Sequence, residues 1–162
     1  MIIQIVIAMI STLAFAVLFH VPKSEYLYCA LNGGIGWAAY RFCGNCGFGA
    51  AASSLWATLV LTLVARVLSA VRKMPSTVFL IAGIFSLVPG SGIYYTAYYL
   101  IMNQLSQSSA KGIDTFKIAG AIVLGIIFGL ALPQSWFNHL GNLFDKNKKN
   151  KNEKQSNTPQ QS

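Results

Sequence analysis

The chain is a succession of long apolar runs that carry almost no charge. Residues 2–19 contain no charged side chain, and their only polar ones are Gln4, Ser11 and Thr12. As a helix such a run is about 27 Å long, close to the ~30 Å hydrocarbon core of a bilayer. Further runs follow at 26–42, 50–71, 77–103 and 116–132. Over the whole chain 54% of residues are hydrophobic and 10% charged, against about 25% charged in a soluble domain. So few charges cannot cover a water-exposed surface. The sequence therefore predicts an all-α, polytopic membrane helix bundle of about five spans. It forms one domain over residues 1–144, followed by a disordered basic tail over 145–162. Ala14-Phe15-Ala16 resembles a leader cleavage site. However, no Lys or Arg precedes the first run and the run continues past that site, so the segment is expected to be retained.

The second run is the least apolar. Asn32-Gly33-Gly34 and Gly36 sit near its centre and it ends close to Arg41, which suits either a buried, closely packed helix or a half-inserted segment. The fifth run carries Gly125-x-x-x-Gly129, a small-residue packing face, and is stopped by Pro133. Basic residues near span ends set orientation. With five spans, Lys23, the Arg72-Lys73 pair and the tail lysines (Lys146, Lys148, Lys149, Lys151 and Lys154) share one side, opposite Arg41, Lys111 and Lys117. The C-terminus is thus expected in the cytoplasm. The net charge of +8 does not imply nucleic acid, because no aromatic residue lies among the tail lysines. A juxtamembrane segment touching anionic lipid fits better.

Cys43 and Cys46 form a C-x-x-C, and Cys29 stands apart. Structural zinc needs four ligands, and no second pair is present. The pair reads as two small residues at a glycine-rich helix end, with a redox or metal role as the alternative, and no metal or cofactor is expected. Clustered Asp, Glu or His, a nucleophile elbow and a phosphate-binding glycine loop are all absent, so the chain does not read as an enzyme.

The fourth run contains "SLVPGSGIYYTAYYLI". As one helix, 77–103 would measure about 40 Å, longer than the bilayer core. Pro89 lacks a backbone donor, and Gly90 and Gly92 tolerate non-helical torsions. The expected result is two half-helices, 77–87 and 92–103, meeting at 88–91. Backbone groups freed at such a break are tolerated only inside protein or beside a water-filled cavity. A half-helix N-terminus there presents N–H groups to an anion. Ser91 is placed to cap the second half or touch substrate. Tyr94 shares a face with Tyr98, and Tyr95 with Tyr99; this set reads either as a headgroup belt or, for Tyr94, as a cavity wall. The bland reading of the motif is a turn between two short re-entrant helices.

Two patches carry a family resemblance: "FHVPKSEYLYCALNGGIGWAAY" and "FSLVPGSGIYYTAYYLI". In this order and spacing the chain resembles the threonine/serine exporter family over about 15–132, and specifically its C-terminal membrane domain, which also occurs as a separate small subunit. The resemblance implies export of small hydroxylated amino acids, or of a dicarboxylate such as succinate, across a bacterial cytoplasmic membrane by a proton-driven complex. It also implies a larger membrane partner equivalent to the other half. The candidate substrate-binding residues are Pro89, Gly90, Ser91, Gly92 and Tyr94, with Asn32 in the second run and Arg66, the best-embedded charge, which either snorkels to the cytoplasmic interface or holds an anion or a partner carboxylate. None of the acids Glu25, Asp114, Asp145 and Glu153 lies deep in a run, so a titrating carboxylate is expected on the partner. His20, at the end of the first run, reads as interfacial. The alternative function is an accessory subunit that stabilises the partner without touching substrate.

Overall fold

The computed structural model describes residues 2–132; the expectations for Pro133 and the 145–162 tail lie outside these residues. Helices account for the architecture, with no strand among the described residues. They are α1 (Ile2–Leu18), a 3-10 turn (Lys23–Glu25), α2 (Tyr26–Asn45), α3 (Ala50–Arg72), α4 (Ser76–Ile84), α5 (Gly90–Ile101) and α6 (Leu105–Ala131).

The bundle buries polar side chains beside an apolar core of Leu61, Phe79, Leu80 and Ile122, and it turns apolar faces outward. Thr12, Asn32, Ser54, Thr58, Thr62 and Arg66 are buried, while Ile3, Ile7 and Ile10 of α1 and Leu124, Ile127 and Phe128 of α6 face outward. Water would penalise that arrangement, whereas lipid covers apolar surface and leaves polar groups to pair inside. Among the described residues, α3 and α6 are long and apolar enough to cross a bilayer. α1 is apolar but has 17 residues, and the glycines, Asn32 and Arg41 dilute α2. α4 and α5 have 9 and 12 residues, too few for either to cross alone.

Small residues set the packing. A Cβ on Gly125 would lie 2.8 Å from the Leu55 carbonyl oxygen and 3.0 Å from Thr58 Cβ, and one on Gly129 would lie 2.6 Å from Thr62 Cβ. The Gly125-x-x-x-Gly129 face therefore lies directly on α3. Because 58 pairs with 125 and 62 with 129, α3 and α6 run parallel. The hydroxyls of Ser54, Thr58 and Thr62 donate to the carbonyls of Ala50, Ser54 and Thr58 at 2.7–2.8 Å, so each is satisfied within α3. On the other side of the bundle Thr12 Oγ1 shares a 2.6 Å hydrogen bond with Ser86 Oγ, tying α1 to the segment after α4.

Two boundaries differ from the sequence expectation. The non-helical interval falls at 85–89, and Gly90, Ser91 and Gly92 form the first turn of α5. Proline at a helix start lacks a donor that would have no acceptor there anyway, so the chain can resume helix at once. α6 begins at Leu105 rather than near 116. Hydropathy marks where a lipid-compatible surface begins, whereas backbone hydrogen bonding continues through polar residues. Ser108 Oγ donates to the Thr96 carbonyl at 2.9 Å, holding this polar first part of α6 against α5. With Gly92 also against Thr115, α5 and α6 run antiparallel.

Candidate functional site

A cavity of about 860 Å³ lies where α2 ends, α3 begins and the 85–89 interval turns into α5. Trp37 and Tyr40 of α2 form one wall and residues 49–52 another. Ser86, Leu87, Val88, Pro89, Ser91, Gly92 and Tyr95 form a third. Lys111, Asp114, Thr115, Lys117 and Ile118 of α6 close the fourth.

Two helix N-termini meet here. The caps of α3 and α5 are Gly49 and Pro89, and neither makes a side-chain capping bond. The first intrahelical bonds are Ser53 N–H to Gly49 O at 2.9 Å and Ile93 N–H to Pro89 O at 3.2 Å. The N–H groups of Ala50, Ala51 and Ala52, and of Ser91 and Gly92, precede those bonds and have no intrahelical acceptor. Gly90 N–H turns back to Val88 O. Both dipoles thus present their positive ends to one space, which favours an anion. Lys111 and Lys117 add positive charge. Asp114 is the one acid among the lining residues, and it sits 3.7 Å from Lys117 Nζ in an exposed pair.

The residues singled out from sequence separate into two groups. Pro89, Ser91 and Gly92 line the cavity, and Gly90 adjoins it with open space where a Cβ would be. Ser91 lies inside the first turn of α5, not at its cap. Tyr95 lines the cavity and Tyr94 does not; Tyr94 instead stacks on Tyr98 at a centroid distance of 6.3 Å. Asn32 and Arg66 are elsewhere. Asn32 is fully buried and its Nδ2 donates to the Phe79 carbonyl at 3.1 Å, joining α2 to α4. Arg66 Nη1 donates to the carbonyls of Gly129 and Leu130 at 3.0 and 2.8 Å. These belong to the last turn of α6, where carbonyls lack intrahelical donors and a cation complements the dipole.

Trp37, Tyr40, the start of α3 and the α6 residues Lys111, Asp114, Thr115 and Lys117 also line the cavity, beyond the residues that the sequence singled out. The signal for the α6 wall is the i, i+3, i+4, i+7 spacing of Lys111, Asp114, Thr115 and Ile118, which places these four on one face of a helix that begins before 116.

At the opposite end of the bundle Glu25 is buried against Arg72. The Arg72 hydrogen bonds hold the Glu25 carboxyl below its ordinary value; burial opposes this and a Ser24 hydroxyl bond adds to it. His20 is exposed in the turn after α1, with φ 54°.

The family model described as "Threonine/Serine exporter, ThrE" matches residues 4–132. No solved structure matches the chain.

Proposed function

The chain belongs to the threonine/serine exporter family, and from that premise we propose that it is a subunit of a secondary exporter for small carboxylate-bearing metabolites. The substrate is threonine or serine, or a dicarboxylate such as succinate. The cavity between the α3 and α5 N-termini is its share of the substrate path. The observation that carries this reading is the convergence of those two N-termini with Lys111 and Lys117 around one space. A substrate carboxylate is met by backbone N–H groups and lysine ammonium groups. Asp114 is available to the ammonium of an amino acid.

The proposed topology has five passes: α1, α2, α3, α4 with α5, and α6. Lys23, Arg72, Lys73 and the end of α6 then lie on the cytoplasmic side of the bacterial cytoplasmic membrane, and the C-terminus follows. Arg66 on the last turn of α6 supports grouping these ends. Coupling to protons needs a titrating group within the membrane. Glu25 is engaged by Arg72 and Asp114 is exposed, so we assign that group to a larger membrane partner. An accessory role without substrate contact is the second reading. It draws on Asn32 and Arg66, whose polar atoms hold helices together.

The test is thiol access during export. In a Cys43→Ser, Cys46→Ser background, Ser91→Cys should react with a small membrane-impermeant thiol reagent in exporting cells, and substrate should slow the reaction. Lys111→Gln should raise the KM for export at equal membrane abundance. If position 91 is inert in exporting cells and Lys111→Gln leaves export unchanged, the accessory role stands instead.

A further inference from the structure

The C-x-x-C at the end of α2 is not used by the transport site, yet it lies between two of its walls. Tyr40 is one turn before Cys43, and residues 49–52 follow Cys46. We propose that Cys43 and Cys46 form a reversible dithiol–disulfide pair that locks the α2–α3 turn beside the cavity.

The backbone spacing of the pair is compatible with a bridge. The N–H of Cys46 donates to the carbonyls of Phe42 and Cys43, each at 3.1 Å, which holds it in the final turn of the helix. Helical positions three apart have Cα atoms about 5 Å from each other, inside the 4.4–6.8 Å span of disulfides. The backbone around the pair can adjust: would-be Cβ atoms on Gly44 and Gly47 meet nothing within 4 Å, and Gly47 has φ 87°. Access is also right. Cys46 is exposed and Cys43 half-buried, whereas Cys29 is buried. No group of three metal-ligating side chains occurs among the described residues, so none of these residues joins the pair to build a zinc site. On the topology proposed above the pair faces the outer, oxidising side, where disulfides persist.

The link to the cavity is a short chain of hydrogen bonds. Phe48 N–H donates to Cys43 O at 3.3 Å, Ser53 Oγ donates to Phe48 O at 3.3 Å, and Ser53 N–H closes on Gly49 O at 2.9 Å. A covalent bridge across Cys43 and Cys46 stiffens the turn that carries the α3 N-terminus. The oxidant is a low-molecular-weight disulfide. One cysteine thiolate attacks it, forming a mixed disulfide and releasing one thiol. The second cysteine thiolate displaces the other thiol. Two protein thiols lose two protons and two electrons, and the oxidant is reduced to two thiols.

Full-length chain in native membrane vesicles is treated with oxidised glutathione, quenched in acid, denatured, alkylated and digested with trypsin. The peptide 42–66 contains both cysteines and no other. It should appear two hydrogens lighter than the dithiol and unalkylated, and dithiothreitol should reverse this, while Cys29 is alkylated throughout. Cys46→Ser should leave glutathione on Cys43 and no internal link. Amides of residues 46–49 should exchange several-fold more slowly in the oxidised chain. Recovery of 42–66 doubly alkylated, doubly glutathionylated or linked to another chain overturns the pair. Unchanged amide exchange in a bridged chain overturns the lock.

Discussion

Arg72 donates to both carboxylate oxygens of Glu25, from Nε to Oε2 at 2.9 Å and from Nη2 to Oε1 at 2.6 Å. Its guanidinium carbon also lies 4.6 Å from the centroid of the Tyr28 ring. One side chain at the end of α3 thereby holds the turn after α1 and the first turn of α2. A planar fork can do this, whereas an ammonium cannot make the same two-point contact.

Glu25→Gln should lower thermal stability in detergent at neutral pH, and Arg72→Lys should recover only part of the wild-type value in its own background. The pH dependence has a definite sign. Arg72 depresses the folded-state pKa of Glu25 below its ordinary 4.5. The stabilisation is thus fully present above that ordinary value and is lost as pH falls through the depressed one. Melting curves of wild type and Glu25→Gln should differ by a constant amount from neutral pH down to about 5 and converge below the ordinary value. A gap that persists unchanged in strong acid contradicts the pairing.

Arg66 is predicted to act on stability. A hydrogen bond to a charged group contributes about 1.5–3 kcal/mol, and Arg66→Met removes two such bonds from the last turn of α6 while keeping an apolar stem. The melting temperature should fall clearly, with Arg66→Lys in between. A change in substrate KM at unchanged melting temperature would return Arg66 to the substrate path.

The α3–α6 contact offers a paired test among glycines of one helix. Gly125→Ala pushes a methyl towards the Leu55 carbonyl oxygen, whereas a Cβ at Gly120 meets nothing within 4 Å. Alanine raises helix propensity by about 1 kcal/mol over glycine. Gly120→Ala should therefore be neutral or stabilising, and Gly125→Ala destabilising, by thermal unfolding in one detergent. Equal effects would mean that the helices do not approach as described.

At the cavity the same logic separates Gly90 from Gly92. A Cβ at Gly92 would run into Thr115 Oγ1, while Gly90 faces open space. Gly92→Ala should reduce export at equal abundance and Gly90→Ala should not. Thr115→Ala in the Gly92→Ala background should restore part of the loss, because it removes the obstructing side chain. Failure of that rescue would point to a role for Gly92 other than close approach.

Much of this was legible along the chain. Apolar runs separated by Lys23, Gly49 and the Arg72-Lys73 pair marked α1, α2 and α3 to within a few residues. The reason is that a helix in such a bundle is mostly apolar along its length, while charged residues and turn glycines such as these collect at its ends. Pro89 marked the neighbourhood of the interruption. Its position was legible only to within a few residues, because proline is compatible with both a helix start and a break. The polar start of α6 is not marked by hydropathy, because this part of the helix is held by α5 through Ser108 and Thr96 and not by an apolar face.

The sequence by itself determined the all-helical class and the family, and it marked Pro89 as a point where regular helix is interrupted. Each follows from side-chain chemistry and order, which are one-dimensional properties. Only the tertiary structure decided which charged and polar groups are consumed. Arg66 meets carbonyls 63 and 64 positions away, and Asn32 meets one 47 away. Only the tertiary structure brought the N-terminus of α3 to that of α5, with Lys111 and Lys117 beside them. Hydropathy and motif spacing report on neighbours along the chain. A buried guanidinium, by contrast, is satisfied by whichever carbonyls the packing of distant helices places within 3 Å.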